Sequence, residues 1–166
     1  IFYAYHQDSY IYDYRTSADN ERFFTSGIVL EETEPWKFRE LVYQDIREMT
    51  ALPEQNITGY LTGSFKDVNT NAVIYIYPVP PKYWGNVVFV VNSNYYEELL
   101  SASEEKKRET RLLYDGQIIT RRGNLDLSGE ALTEAFAGAE DGQKKISIDG
   151  KSYLLTVASG SVLTYC

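Results

Sequence analysis

Apolar and polar residues alternate along much of the chain at the two-residue period of half-buried strands. Tyr10, Tyr12 and Tyr14 alternate with Ile11, Asp13 and Arg15, and a second β-rich run covers Arg22 to Val29. Between them Ser17-Ala18-Asp19-Asn20 are turn residues, so the two runs read as a hairpin. Thr33 then stands as a helix cap, with Pro35 in the first turn and Glu34 beside it. Behind it Phe38, Leu41, Val42, Ile46 and Met49 recur at helical spacing, which predicts an amphipathic helix running toward Pro53. Residues 54–71 read as loop with a short strand around Tyr60 to Phe65. Two β-rich runs follow, Ala72 to Tyr77 and Asn86 to Val91, and the second is apolar on both sides, as a central strand would be. The loop joining them carries Tyr83 and Trp84 and suits contact with a partner.

Beyond Val91 the pattern changes. Asn94 with Glu97 forms a capping box for a short helix that runs into a charged stretch, and a boundary falls there, giving lobes 1–103 and 104–166. The second lobe repeats the first in miniature. Asp115-Gly116 sits between Arg111–Tyr114 and Gln117–Thr120, and Asp149-Gly150 between Lys145–Ile148 and Ser152–Val157. Asp-Gly between alternating runs is a strong hairpin signal. Ser128 opens a helix through Leu132 and Phe136, and a last strand covers Val162 to Tyr165. Each lobe therefore reads hairpin, helix, hairpin, and the expected class is α+β, two lobes each built on an antiparallel sheet flanked by helices, the first lobe the larger.

Composition narrows the function. The 166 residues carry a formal charge of −8, and the longest basic run, Lys106-Lys107-Arg108, is bracketed by Glu104, Glu105 and Glu109, which argues against nucleic acid as a partner. The single cysteine, Cys166, excludes an intrachain disulfide. No run approaches a membrane span, and the opening Ile1 to His6 has neither initiator Met nor signal-peptide pattern, so the chain reads as a piece excised from a longer protein.

Catalytic signals are sparse. The sole histidine, His6, lies near one end of the chain and reads as an exposed or packing residue. No nucleophile elbow, zinc helix, phosphate loop or dinucleotide fingerprint occurs, and Glu31, Glu32 and Glu34 read as complements to a helix dipole. Asp67-Val68-Asn69-Thr70-Asn71 matches the opening of a calcium loop. Its sixth position, Ala72, should be glycine, and its twelfth, Pro78, should be glutamate, so the match fails. Neither a metal nor a cofactor is expected.

Tyrosine is over-represented, at 15 residues against 7 Phe and 2 Trp. Its apolar ring and polar tip suit both half-buried sheets and the walls of polar-ligand pockets. The candidates for such a pocket are Tyr12, Tyr14 and Arg22 from the first hairpin, Trp36, Arg39 and Tyr43 from the helix, and Tyr75 and Tyr77 from the following strand. Arginine would serve there as the carboxylate clamp.

Four stretches carry a resemblance. Tyr10–Arg15 with Phe23–Ser26, Asn86–Asn92 with Tyr95–Leu100, Leu112–Ile119, and Ile148–Leu155 together resemble, in their order, the double Cache family of extracytoplasmic sensors. These domains occur on bacterial membrane histidine kinases and on membrane regulators with AraC-type DNA-binding domains. The resemblance implies that the first lobe binds a small extracellular ligand, a metabolite or saccharide-related compound, and that the second relays the change through the membrane to a cytoplasmic output domain. It implies a parent protein in the membrane, with a homodimer as an allowed assembly; the missing catalytic signals argue against catalysis by this segment. The alternative is an interaction module that docks a binding protein or co-receptor and takes no small molecule.

Overall fold

The computed structural model describes residues 1–59, 68–80, 84–100, 109–115, 117–123, 141–159 and 164–165. Its contacts divide the chain into two units, Ile1–Tyr95 and Tyr96–Cys166. No helix among the described residues is long and apolar enough to cross a membrane.

The first unit is a seven-stranded sheet with every pairing antiparallel. Its strands are β1 (Phe2–Tyr5), β2 (Tyr10–Tyr12), β3 (Ser17–Asp19), β4 (Ile28–Leu30), β5 (Thr50–Gly59), β6 (Val68–Pro78) and β7 (Gly85–Asn92), in the spatial order β3-β2-β1-β7-β6-β5-β4. The apolar run Val87–Val91 thus lies inside the sheet, between β1 and β6. Gly85 is required where β7 meets β1, because a Cβ there would collide with the Ala4 carbonyl and lie 2.8 Å from Tyr5 Cα.

Helical segments connect β3 to β5. Asp19 caps α1 (Asn20–Arg22) by accepting from the Arg22 amide at 3.1 Å, and a single π-helical turn, Phe23–Gly27, follows it. Thr25 and Ser26 return their hydroxyls to the Glu21 and Arg22 carbonyls. α2 (Pro35–Tyr43) has Pro35 at its start and buries Phe38 and Val42, one turn apart. These elements fill the space on one side of the sheet. Phe2 and Phe23 stand 4.9 Å apart, Phe23 and Phe24 5.2 Å, and Phe24 and Phe38 5.3 Å. Around them Ile11, Ile28, Ile57, Ile74, Ile76 and Val88 complete a core closed to solvent.

The second unit, among its described residues, consists of strands apart from α3 (Asn94–Leu100), which begins just before the division. β8 (Glu109–Tyr114) pairs with β9 (Gln117–Gly123), and β10 (Gly142–Ile148) with β11 (Lys151–Ser159). The two-residue β12 (Thr164–Tyr165) joins the hairpins in the order β10-β11-β12-β8-β9. The Asp149-Gly150 turn is present, with Asp149 at φ 51 and Gly150 at φ 72, and Asp115 at φ 48 has the same left-handed backbone that such turns demand. The two sheets share one ordering: the opening strand, β1 or β8, lies between the second strand of its sheet and the last, β7 or β12.

The expected class, two sheet lobes flanked by helices, is corrected by this architecture, which is mostly β with three short α-helices among the described residues. Three segments were misread locally. The run Arg22–Val29 is not the second arm of a hairpin: β2 pairs with β1 and β3, and Phe23 and Phe24 are both buried. Neighbouring strand residues face opposite sides, whereas a helical turn can sink both rings into one core. The predicted helix to Met49 stops at Tyr43, where Gln44 turns extended. Residues 50–59, read in part as loop, form a ten-residue strand whose irregularity falls between Leu52 and Gln55, around Pro53. Thr33 also does not cap α2. Its hydroxyl donates instead to Gln55 Oε1 at 3.2 Å, an oxygen that also takes the Glu32 amide. The helix expected after Ser128 and the short strand expected at Tyr60–Phe65 lie outside the described residues.

Candidate functional site

The seven strands divide their residues between two faces. One carries the core; the other begins with Tyr3 and Tyr5, which alternate with buried Phe2 and Ala4. Register extends this outer face sideways: Tyr3 stands opposite Tyr12 on β2 and Val87 on β7, Val87 opposite Tyr77 on β6, and Phe89 opposite Tyr75. Toward β5 the face becomes amide-rich, with Asn56 opposite Asn71 and Thr58 opposite Asn69. Asn56 Nδ2 donates to Asn69 Oδ1 at 3.2 Å and to Asn71 Oδ1 at 3.3 Å.

Two properties separate this face from the rest of the surface. Around β1, β2 and the end of β6 it is aromatic and open, with Tyr3 40%, Tyr5 41%, Tyr10 48% and Tyr77 37% exposed, whereas Val73 and Tyr75 farther along β6 on the same face are buried. It is also neutral: of the register-paired outward residues on β2, β1, β7, β6, β5 and β4, none is charged, in a chain with 40 residues of Asp, Glu, Lys and Arg, 24 acidic and 16 basic. Its acidic neighbours are Asp19, directly opposite Tyr10, Asp8, which takes the Tyr12 hydroxyl, and Glu54, in the β5 irregularity between Leu52 and Gln55. The rings pair edge to face, Tyr5 with Tyr12 at 5.8 Å and Tyr77 with Phe89 at 5.5 Å.

At the β1–β2 turn a hydrogen-bonded chain ties the sheet to α2. Tyr12 donates to Asp8 Oδ2 at 2.6 Å, and Tyr43 donates at 3.4 Å to the Asp8 carbonyl while accepting from Asn20 Nδ2 at 3.4 Å. The bond to Asp8 holds the Tyr12 phenol above the ordinary tyrosine value, because ionisation would place two negative oxygens together. Burial pushes the Tyr43 phenol in the same direction. Nearby, Asn86 Nδ2 donates to the Val42 and Gln44 carbonyls at 2.8 and 2.9 Å and lies 3.4 Å from His6 Nε2. Its Oδ1 is buried and unpaired.

The eight residues proposed from sequence do not converge on one pocket. Tyr12 and Tyr77 lie on the outer face, as does Tyr75, which is buried there. Tyr43 is joined to Tyr12 through Asp8. Tyr14 is 72% exposed in the turn after β2, its ring beneath the Arg15 guanidinium at 4.7 Å. Arg22 is exposed at the end of α1, and Trp36 and Arg39 are exposed on α2, the helix that packs against the core face. Tyr3, Tyr5, Tyr10 and Phe89 were missed as site residues. The alternation Phe2-Tyr3-Ala4-Tyr5 is a strand signal that could have found the first two.

Compared with known proteins, the chain matches no family model, and neither a curated protein nor a solved structure matches it.

Proposed function

We propose that the first unit is a non-catalytic recognition module that binds its ligand on the open tyrosine face of the sheet, and that the chain serves as the extracytoplasmic sensing part of a membrane receptor. The observation that carries the first half is the contrast between the two faces. The side against α2 is filled by Phe2, Phe23, Phe24 and Phe38, each at most 3% exposed, while the other presents exposed neutral rings. Aromatic side chains left open on a rigid sheet give large contact area at low cost in side-chain entropy. The receptor setting is supported by the resemblance of the three remaining stretches, Asn86–Leu100, Leu112–Ile119 and Ile148–Leu155, the first of the four having lost its hairpin.

A thermal-shift screen against amino acids, organic acids, sugars, nucleosides and peptides tests the first half, since a ligand at a hundred times its Kd adds about 2.7 kcal/mol of stability. Shifts that vanish in both Tyr3→Ser and Tyr77→Ser are expected. A ligand whose shift survives both substitutions would place recognition elsewhere. For the receptor setting, hydrophobic spans should flank this segment in the parent protein, and a parent without any span refutes it.

A further inference from the structure

We infer that the ligand of the tyrosine face is a neutral oligosaccharide. This rests on the reading of that face as the recognition surface and adds the chemistry of what it takes.

Charge decides first. Amino acids, organic acids and nucleotides carry formal charges that a site must neutralise once water is excluded. The row Tyr12, Tyr3, Val87 and Tyr77 carries no charge, the acidic groups beside it, Asp8 at the Tyr12 hydroxyl and Asp19 opposite Tyr10, repel anions, and Arg22 and Arg39, the carboxylate clamps expected from sequence, stand on helical segments instead. The net charge of −8 further disfavours polyanions. What the ring-bearing part of the face does offer is phenol hydroxyls and flat rings, with the amides of Asn69 and Asn71 farther along β6 beyond buried Val73 and Tyr75. Those groups match a ligand whose surface is hydroxyls around the edge of apolar C–H faces.

Extent decides second. The ring pairs Tyr5–Tyr12 and Tyr77–Phe89 occupy four adjacent strands, β2-β1-β7-β6. At about 4.8 Å per strand they span roughly 14 Å across the sheet, more than one sugar ring covers. In each pair the tilted neighbour props its partner, 61° between planes in the first and 82° in the second, so the platform is held before any ligand arrives. Tyr12 is further anchored by its bond to Asp8.

The test is titration calorimetry of the whole chain with neutral oligosaccharides of two to six units (β-1,4- and α-1,4-linked glucose, xylose and N-acetylglucosamine), with an oligogalacturonate as the charged contrast. At least one neutral series should bind with affinity rising with length. Tyr5→Ser and Tyr77→Leu should each weaken it about tenfold, the loss of one stacked ring at about 1.4 kcal/mol, and Trp36→Ser should not. If every neutral series fails against chain shown folded by its tryptophan fluorescence, or if the oligogalacturonate binds more tightly, the saccharide assignment is wrong. A wild-type dimer in sedimentation that Tyr77→Leu dissolves, or a peptide whose binding Tyr77→Leu abolishes, also overturns it while leaving the face as the recognition surface. Saccharide binding unchanged in both tyrosine variants overturns the face itself.

Discussion

Asn86 lies on β7 and reaches across 44 and 42 residues of sequence to the end of α2, where its amide takes the Val42 and Gln44 carbonyls. A helix leaves its last carbonyls without partners, and here one inward side chain of the sheet supplies the donor. The orientation of the amide is fixed by its neighbours, since only its nitrogen can face two carbonyl oxygens. Replacing Asn86 by alanine removes two hydrogen bonds worth about 1 kcal/mol each and strands the Val42 carbonyl in the interior. Loss of the unpaired Oδ1 offsets part of this, so the expected cost is about 2–3 kcal/mol. Asn86→Asp keeps the volume and turns the donor into a buried negative oxygen against two carbonyls, for a cost nearer 3–5 kcal/mol. Both tryptophans, Trp36 and Trp84, belong to the first unit, so their fluorescence during urea unfolding reports that unit. In thermal unfolding the alanine variant should fall by roughly 8–24 °C, at 4–8 °C per kcal/mol for a domain of this size. An aspartate variant as stable as wild type would refute the capping role. So would an alanine variant within about 0.5 kcal/mol, the range of an indifferent surface change.

Two further outcomes follow from the same unit. Gly85→Ala forces a methyl group against the Ala4 carbonyl, a backbone atom that cannot turn aside, so a loss of about 1–3 kcal/mol in the same urea assay is expected; a variant equal to wild type would mean β1 and β7 are not held this closely. In spectrophotometric titration Tyr12 should ionise above the ordinary tyrosine value and return toward it in Asp8→Asn; because the folded value is the raised one, the Tyr12–Asp8 contribution is intact below pH 10 and disappears as pH climbs through the raised value, and an unchanged titration curve in Asp8→Asn would refute the assignment.

What could be read from sequence was what neighbouring residues decide among themselves. Asp149-Gly150 needs positive φ at both positions, and the Val87–Val91 run has no polar position to leave facing water, so a tight hairpin and an interior strand followed directly. Pro35 at the start of α2 was equally local. The misread segments depend on distant partners. β5 contains Pro53, Gln55, Asn56 and Gly59, all poor strand residues, and becomes a strand because β4 and β6 flank it and because Gln55 is consumed by the Glu32 amide and the Thr33 hydroxyl. The end of α2 is set by Asn86, which no helical period reveals. The double phenylalanine at 23–24 suits a strand by propensity and a helical turn by burial, and burial prevails because both rings enter one core.

The candidate site was legible in type more than in place. An excess of tyrosine pointed toward recognition, and Tyr12 and Tyr77 do lie on the face that emerged, but its neutrality is a property of register. Tyr3, Tyr12, Val87 and Tyr77 come from four strands spread over most of the first unit and form a row only once β1 is set between β2 and β7. A one-residue slip of β1 would exchange Phe2 and Ala4 for Tyr3 and Tyr5, opening the core and burying the platform together. Folding and recognition in this unit therefore depend on the same register. The close approach at Gly85, which excludes any larger residue from that position, is one of the features that fixes it.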